Sequence, residues 1–359
     1  MKIVPVQYAR ALAAILVLLS HTTSEALKLT PNGTTYPNPN DYFPFVAGVD
    51  VFFIISGFIM VLVSRNRWHE RGYALAFLRD RITRIVPNYY FYTGLIILAL
   101  LIVPSAFDTT TLELNRVLGS LLFFPGLGEP WAPILSLGWT LNFEMFFYLL
   151  FAIGILLLRT RAILSTCAAL VAVSIVGQTI DGLEPPLSFW FNSIVLEFCI
   201  GMLFAEAWHR GWRAPGWVGM VSALVGVVLL ALGQAYVPEA ARLVRLGLPA
   251  ALITLPFLFV ENWPDPQRPS LRLLETVGDS SYTLYLSHPF VITVVFTIWE
   301  RLLPFGSVWV WPFTIVTCVA AVAYAWIAWR LIELRITRVT RRLFSRQLPN
   351  DPPITKSAA

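Results

Sequence analysis

The sequence is short of charge. Asp, Glu, Lys and Arg make up 13% of its 359 residues, about half the share of a soluble globular domain. It is also short of cysteine. Cys167, Cys199 and Cys318 lie far apart inside apolar stretches, which excludes a disulfide framework and any zinc-like ligand spacing and leaves three buried thiols. No metal is expected. There is no internal repeat, so an inverted-repeat transporter is not indicated. The net charge of +5 could suit a nucleic acid, but the positive residues flank apolar runs and form no continuous patch. No nucleic-acid partner is expected.

What is abundant is apolar surface. Hydrophobic residues reach 57% and the mean hydropathy is +0.68. Only a bilayer accepts such a chain, and about 20 apolar residues are needed per helical crossing. The expected fold class is all-α, a polytopic transmembrane helix bundle with about ten spanning helices in contact with membrane lipid. The runs lie near 6–25, 46–64, 85–104, 138–158, 162–179, 190–208, 216–233, 244–260, 278–299 and 308–331. RVLGSLLFFPG at 116–126 is apolar but short and reads as an interfacial or re-entrant element. After the first run, SHTTSEALK offers no small-x-small cleavage site, so that helix is expected to be retained.

With the N-terminus in the cytoplasm, 21 of the 26 Lys and Arg residues fall on the inner side. The outer five are Lys28, Arg116, Arg242, Arg245 and Arg301. The asymmetry predicts both termini cytoplasmic. Residues 1–340 read as one transmembrane domain and 341–359 as a basic, then disordered, tail. The connections 26–45 and 105–137 are long, outer and rich in turn formers.

Against this background the ionisable residues inside apolar runs stand out. RALAAILVLLSH carries Arg10 and His21 eleven residues apart. At about 100° and 1.5 Å per residue they share one helix face, about 16 Å apart. A charge in hydrocarbon costs at least about 2.5–3.5 kcal/mol, so such groups face a cavity or a partner. Taken singly, Arg10 reads equally well as a snorkelling anchor and His21 as an interfacial residue.

Asp50 opens the second run, GVDVFFIISGFIM, near the outer surface. It could orient one ring nitrogen of His21 and leave the other as a base, or simply serve the helix N-terminus. In FLRDRITRIVPNYY, Arg81 and Arg84 are three apart and project from one face at the start of the third span. They suit a phosphate-bearing ligand, or plain positive-inside anchoring.

Glu144 lies within LGWTLNFEMFFYLLF without a basic neighbour, so it needs a partner or a proton. Trp139 and Asn142 sit toward its outer end. Glu197, a second intramembrane carboxylate, reads as structural. In VGDSSYTLYLSHPF, Asp279 and Ser280 suit an N-cap. His288 lies beyond Tyr285 as a second candidate base, and Pro289 follows to bend the helix.

Five of these stretches, Arg10 through His21, GVDVFFIISGF, RDRITRIVP, GWTLNFEMFFYLLF and GDSSYTLYLSH, occur in the order found in the acyltransferase 3 family of integral membrane acyltransferases. The chain resembles that family, and most closely its exopolysaccharide O-acetyltransferase branch. It departs from many relatives in having Met145 after Glu144, where two acidic residues are usual. It also lacks the hydrolase-like domain of longer members.

The resemblance implies transfer of an acetyl group from cytoplasmic acetyl-CoA, the donor co-substrate, to a sugar hydroxyl of a polysaccharide or its lipid-linked oligosaccharide precursor. It further implies a bacterial inner membrane. The family's catalytic positions map to His21, Asp50 and Glu144, and its donor-binding arginines to Arg10, Arg81 and Arg84. Trp139, Asn142, Tyr285 and His288 are the expected substrate contacts. The chemistry agrees: CoA phosphates need inner cations, and a sugar hydroxyl needs a base such as imidazole, whose ordinary pKa is near 6.5. A transporter or flippase of lipid-linked sugars would use the same intramembrane charges without a titrating His21. A structural partner in an export complex would tolerate loss of Arg10 and His21.

Overall fold

The computed structural model describes residues 3–30, 36–103, 112–127, 132–238, 241–261, 263–264 and 267–345. Among the described residues there is no β strand, and the regular structure is helical. The α-helices are α1 Val4–Ala26, α2 Pro39–Tyr42, α3 Gly48–Ser64, α4 Tyr73–Ile102, α5 Leu114–Leu122, α6 Gly138–Leu158 and α7 Ala162–Thr179. They continue with α8 Leu187–Trp190, α9 Leu196–His209, α10 Gly216–Tyr236, α11 Leu248–Phe259, α12 Pro269–Asp279, α13 Ser281–Leu302, α14 Val310–Ala328 and α15 Leu334–Ser345. Seven helical runs among the described residues are long and apolar enough to cross a membrane. The chain is a multi-pass membrane protein.

α6 and α7 have the bounds that hydropathy predicts. The basic turn Arg159–Arg161 separates them, and Arg159, at a positive φ of 41°, leaves the helical conformation and ends the first helix.

Four expectations shift. α4 begins at Tyr73 rather than 85 and runs 30 residues through Pro87, so Arg81 and Arg84 lie inside the helix and not at its start. Hydropathy penalises arginine, but the backbone does not, because arginine is a good helix former. The expected run 278–299 is broken between α12 and α13. Asp279 closes α12, and the Ser280 hydroxyl donates back to the carbonyls of Thr276 (2.9 Å) and Val277 (3.3 Å). Asp279 is not an N-cap, and Ser280 holds the N-cap position of α13 without a side-chain cap bond, since serine finds the preceding turn's carbonyls first.

The run 190–208 becomes α-helical only at Leu196, after a 3₁₀ turn at Ser193–Val195. The last run continues past 331 through a π turn, Trp329–Glu333, into α15. RVLGSLLFFPG overlaps α5, a nine-residue amphipathic helix that starts two residues earlier, at Leu114, as an interfacial element would. Of the expected tail, 346–359 lie outside the described residues.

The chain forms two compact units. The first comprises Met1–Phe58 and Leu203–Leu331, the second Ile59–Met202 and Ile332–Lys356. In the first, α1 packs against α11, α12, α13 and α14. Ala11, Ala14, Leu18, Val277, Leu284, Ile292, Ala321 and Ala325 form its core. Small residues matter there, since helices in lipid associate by close packing. A Cβ on Gly278 would stand 2.0 Å from the Gln7 carbonyl oxygen, and one on Gly48 2.4 Å from that of Ala13. In the second unit, α4 packs on α6 and α15, and α6 on α7. Phe147 stacks on Phe198 at 4.3 Å.

The contact at Gly278 is backbone to backbone, so no rotamer change relieves it. Gly278→Ala is expected to destabilise the protein by at least about 1–3 kcal/mol, seen as a lower thermal midpoint in detergent. Gly94→Ala, where a Cβ meets nothing within 4 Å, is expected to leave the midpoint unchanged or slightly raised.

Candidate active site

In the first unit, the geometry of α1 explains how two histidines meet. The Gly278 contact seats the end of α12 on Gln7 near the start of α1. α13 then sets out from Ser281 alongside α1. His288 lies about 10 Å into α13 and His21 about 25 Å into α1. Their imidazole centroids are 5.1 Å apart, with the rings tilted by 42°.

His288 is 1% exposed. Its Nδ1 lies 3.1 Å from the Leu284 carbonyl oxygen. A carbonyl only accepts, so that contact assigns the proton to Nδ1 and leaves Nε2 with a lone pair. Nε2 is buried and has no hydrogen-bond partner. The adjacent Ser287 hydroxyl is likewise buried without a partner. His21, by contrast, is exposed. The Tyr285 ring stands 6.1 Å from His288 and 6.1 Å from Phe52. At the other end of α1, Arg10 is half-buried and its Nη1 donates to Gln7 Oε1 at 3.2 Å.

Asp50 does not pair with His21. Its Oδ2 accepts a 2.7 Å hydrogen bond from Arg242 Nη2, and its Oδ1 has no hydrogen-bond partner. Nor does it lie at the outer rim. Gly48 sits against Ala13, Leu16 and Val17, the middle of α1, so the first turn of α3 carries Asp50 there, fully buried. A charge so placed takes the one counter-ion that reaches it. Arg242 comes from the turn that precedes α11. In sequence it looks like an ordinary outer-loop arginine, and nothing there marks it as a partner.

The second unit holds the remaining residues. Phe77, Arg81, Arg84 and Asn88 are spaced four, three and four apart on α4, so they form one stripe. Phe77 meets the rings of Tyr148 (6.0 Å) and Phe151 (5.3 Å) on α6. The Arg81 guanidinium lies 6.0 Å from the Phe77 centroid, and its Nε is buried without a hydrogen-bond partner. Among the described residues, neither Arg81 nor Arg84 forms an ion pair. Glu144, half-buried, accepts a hydrogen bond from the Tyr148 hydroxyl. Tyr148 follows Glu144 by one turn of α6, and that i,i+4 spacing is a signal the sequence does offer.

Asn142, 3% exposed, lines a small pocket with Arg116, Ser120, Gly126 and Pro133. Arg116 Nε donates to the Ala132 carbonyl at 2.8 Å. The Ser120 hydroxyl accepts from the Ile134 amide, also at 2.8 Å. Trp139 is half-buried, its ring edge-on to Phe143 at 6.0 Å. The structure thus brings His21, His288 and Tyr285 together in one unit, and Arg81 and Arg84 together in the other. Arg116 and Ser120 were not singled out by sequence.

Among the described residues, the first unit thus holds a histidine pair and the second holds two arginines without an ion pair. Residues 5–330 match the model of the acyltransferase domain family, and the chain belongs to that family. It is a membrane acyltransferase. It is 34% identical over 261 residues to exopolysaccharide production protein ExoZ of Rhizobium meliloti (strain 1021), across 69% of this chain and 77% of that protein. No solved structure matches.

The Asp50–Arg242 pair supplies a test. Arg242→Ala strands a buried carboxylate and is expected to cost about 3 kcal/mol, the low end for a broken buried pair, because the Arg242 side chain is 24% exposed. The double change Asp50→Asn with Arg242→Ala is expected to recover part of that loss, read as the thermal midpoint of each variant.

Proposed function

We propose that this protein moves an acetyl group from cytoplasmic acetyl-CoA to a hydroxyl of an exopolysaccharide or its lipid-linked precursor, in a bacterial inner membrane. The observation that carries the reading is the pairing of an exposed His21 with a buried His288 whose Nε2 has no partner. The family match favours group transfer over transport for these two imidazoles. The exopolysaccharide is supported by the similarity to ExoZ, and the acetyl-CoA donor by the family resemblance of the arginine motifs.

His21 is the base. It takes the proton of the acceptor hydroxyl as the oxygen attacks the acetyl carbonyl. The C–S bond then breaks, and the proton on His21 passes to the departing CoA sulfur, so His21 returns to neutral. While His21 is an imidazolium it needs an acceptor. Asp50 is committed to Arg242, and the free lone pair of His288 fills that need. His288 is therefore a positioning residue, held in the right tautomer by Leu284.

Arg10 in the first unit, and Arg81 and Arg84 in the second, are the guanidinium groups offered to the CoA phosphates. Asp50 and Glu144 act through their own partners, Arg242 and Tyr148 respectively. Trp139, Asn142 and Tyr285 are contacts for the acceptor. Ten crossings with both termini inside belong to this proposal and rest on hydropathy and on the distribution of Lys and Arg; seven helical runs among the described residues are long and apolar enough to cross.

His21→Ala is expected to abolish O-acetylation of the producing cell's polysaccharide at unchanged membrane protein level. His288→Ala is expected to lower the rate about 10²-fold or more, as for loss of general-base support. Purified wild-type protein is expected to release CoA from acetyl-CoA when an acceptor sugar is supplied. Unchanged acetylation in His21→Ala removes the base from the scheme, and absence of CoA release favours the flippase.

A further inference from the structure

The second unit contains a bank of arginines that no motif marks. α15 reads LRITRVTRRLFS. Ile336, Thr337 and Thr340 are half-buried, whereas Arg335, Arg338 and Arg341 are exposed. Among the described residues, none of those three arginines forms an ion pair. α15 packs on α4, and Asn88 Nδ2 donates to Thr337 Oγ1 at 3.5 Å. Asn88 ends the stripe that carries Arg84 and Arg81.

That one contact, together with the cost of charge in lipid, fixes the direction of α15. It begins only three residues before Thr337, so two thirds of it lies beyond the contact. Beyond Asn88, α4 is apolar, with Leu95, Leu98 and Leu101 exposed. Arginines cannot be laid along that half. α15 therefore runs back along the half of α4 that holds Arg84 and Arg81. One turn from the contact, about 6 Å on each helix, Arg84 comes level with Arg341. Arg338 lies nearly one turn behind Arg341 on the same exposed side. Packed helices are 8–10 Å apart, within reach of two extended guanidinium side chains.

We propose that Arg338 and Arg341 form, with Arg84, a phosphate-binding wall at the cytoplasmic end of the second unit, and that it receives a phosphate of the CoA donor. This rests on the donor reading given above. CoA carries three phosphate groups at two places, the ribose 3′ position and the 5′ pyrophosphate, so it can engage more cations than Arg10, Arg81 and Arg84 supply. The α15 wall adds two more. Inner-leaflet lipid headgroups present the same phosphate chemistry, and the test separates the two sources.

The experiment measures the affinity of purified protein for CoA, 3′-dephospho-CoA and phosphate-free pantetheine, in discs of neutral phosphatidylcholine. Arg338→Gln with Arg341→Gln is expected to weaken CoA at least about tenfold, the scale of one charge-assisted contact, and to leave pantetheine unchanged. The preference for CoA over its dephospho form is expected to shrink. Arg338→Lys with Arg341→Lys is expected to retain most of the affinity, which shows that charge and not folding is at stake. Equal CoA affinity in the Gln variant and wild type overturns the proposal. So does a Gln variant that loses only its binding to phosphatidylglycerol vesicles, which would assign the wall to lipid. A wild-type protein that binds no CoA overturns the donor reading and this assignment together. Wild-type binding with an unchanged Gln variant overturns this assignment alone.

Discussion

The close approach of two backbones at Gly278 and Gln7 governs the first unit. Helices in a bilayer gain little from hiding apolar surface, because lipid is as apolar as leucine. They hold together where they can touch without side chains between them. Gly278 provides one such place on α1 and Gly48 another. The first sets where α13 starts, and with it the height at which His288 meets His21. The second sets the depth at which α3 delivers Asp50. Chemistry along α1 thus follows from two residues that have no side chain at all.

A second theme is the allocation of charge. Asp50 is fully buried and bound to Arg242. That ion pair removes the obvious carboxylate from the histidine's service. In the proposed mechanism the His288 imidazole takes the place that an orienting acid holds in a triad. A neutral partner suits a site in hydrocarbon, where a further negative charge would need another cation to hold it.

The sequence makes the helices legible because lipid imposes a length rule on apolar runs. α6 and α7 emerge with their bounds intact, since arginines stand between them. It also makes the face shared by Arg10 and His21 legible, because both lie on one helix with a fixed period. The pairing of α1 with α13 was beyond it. Spacing within one helix says nothing about which other helix lies opposite, and His288 reads alone as a lesser base. Arg242 was hidden for the same reason, 192 residues from Asp50. The start of α4 was misplaced because hydropathy reports where a helix meets lipid, not where its backbone begins to turn.

Arg242 immediately precedes the π-helical turn Leu243–Gly247. Such a turn amounts to one extra residue inserted into an α-helix. One residue is about 100° of rotation. A chain shortened by a single residue in this turn would keep every polar group and every apolar run, yet Arg242 would swing to another side of the helix and leave Asp50 alone. The ion pair is therefore specified by a count of residues rather than by their kinds. Two homologues with identical charges and a one-residue difference here would differ in whether α3 carries a neutralised acid or a bare one.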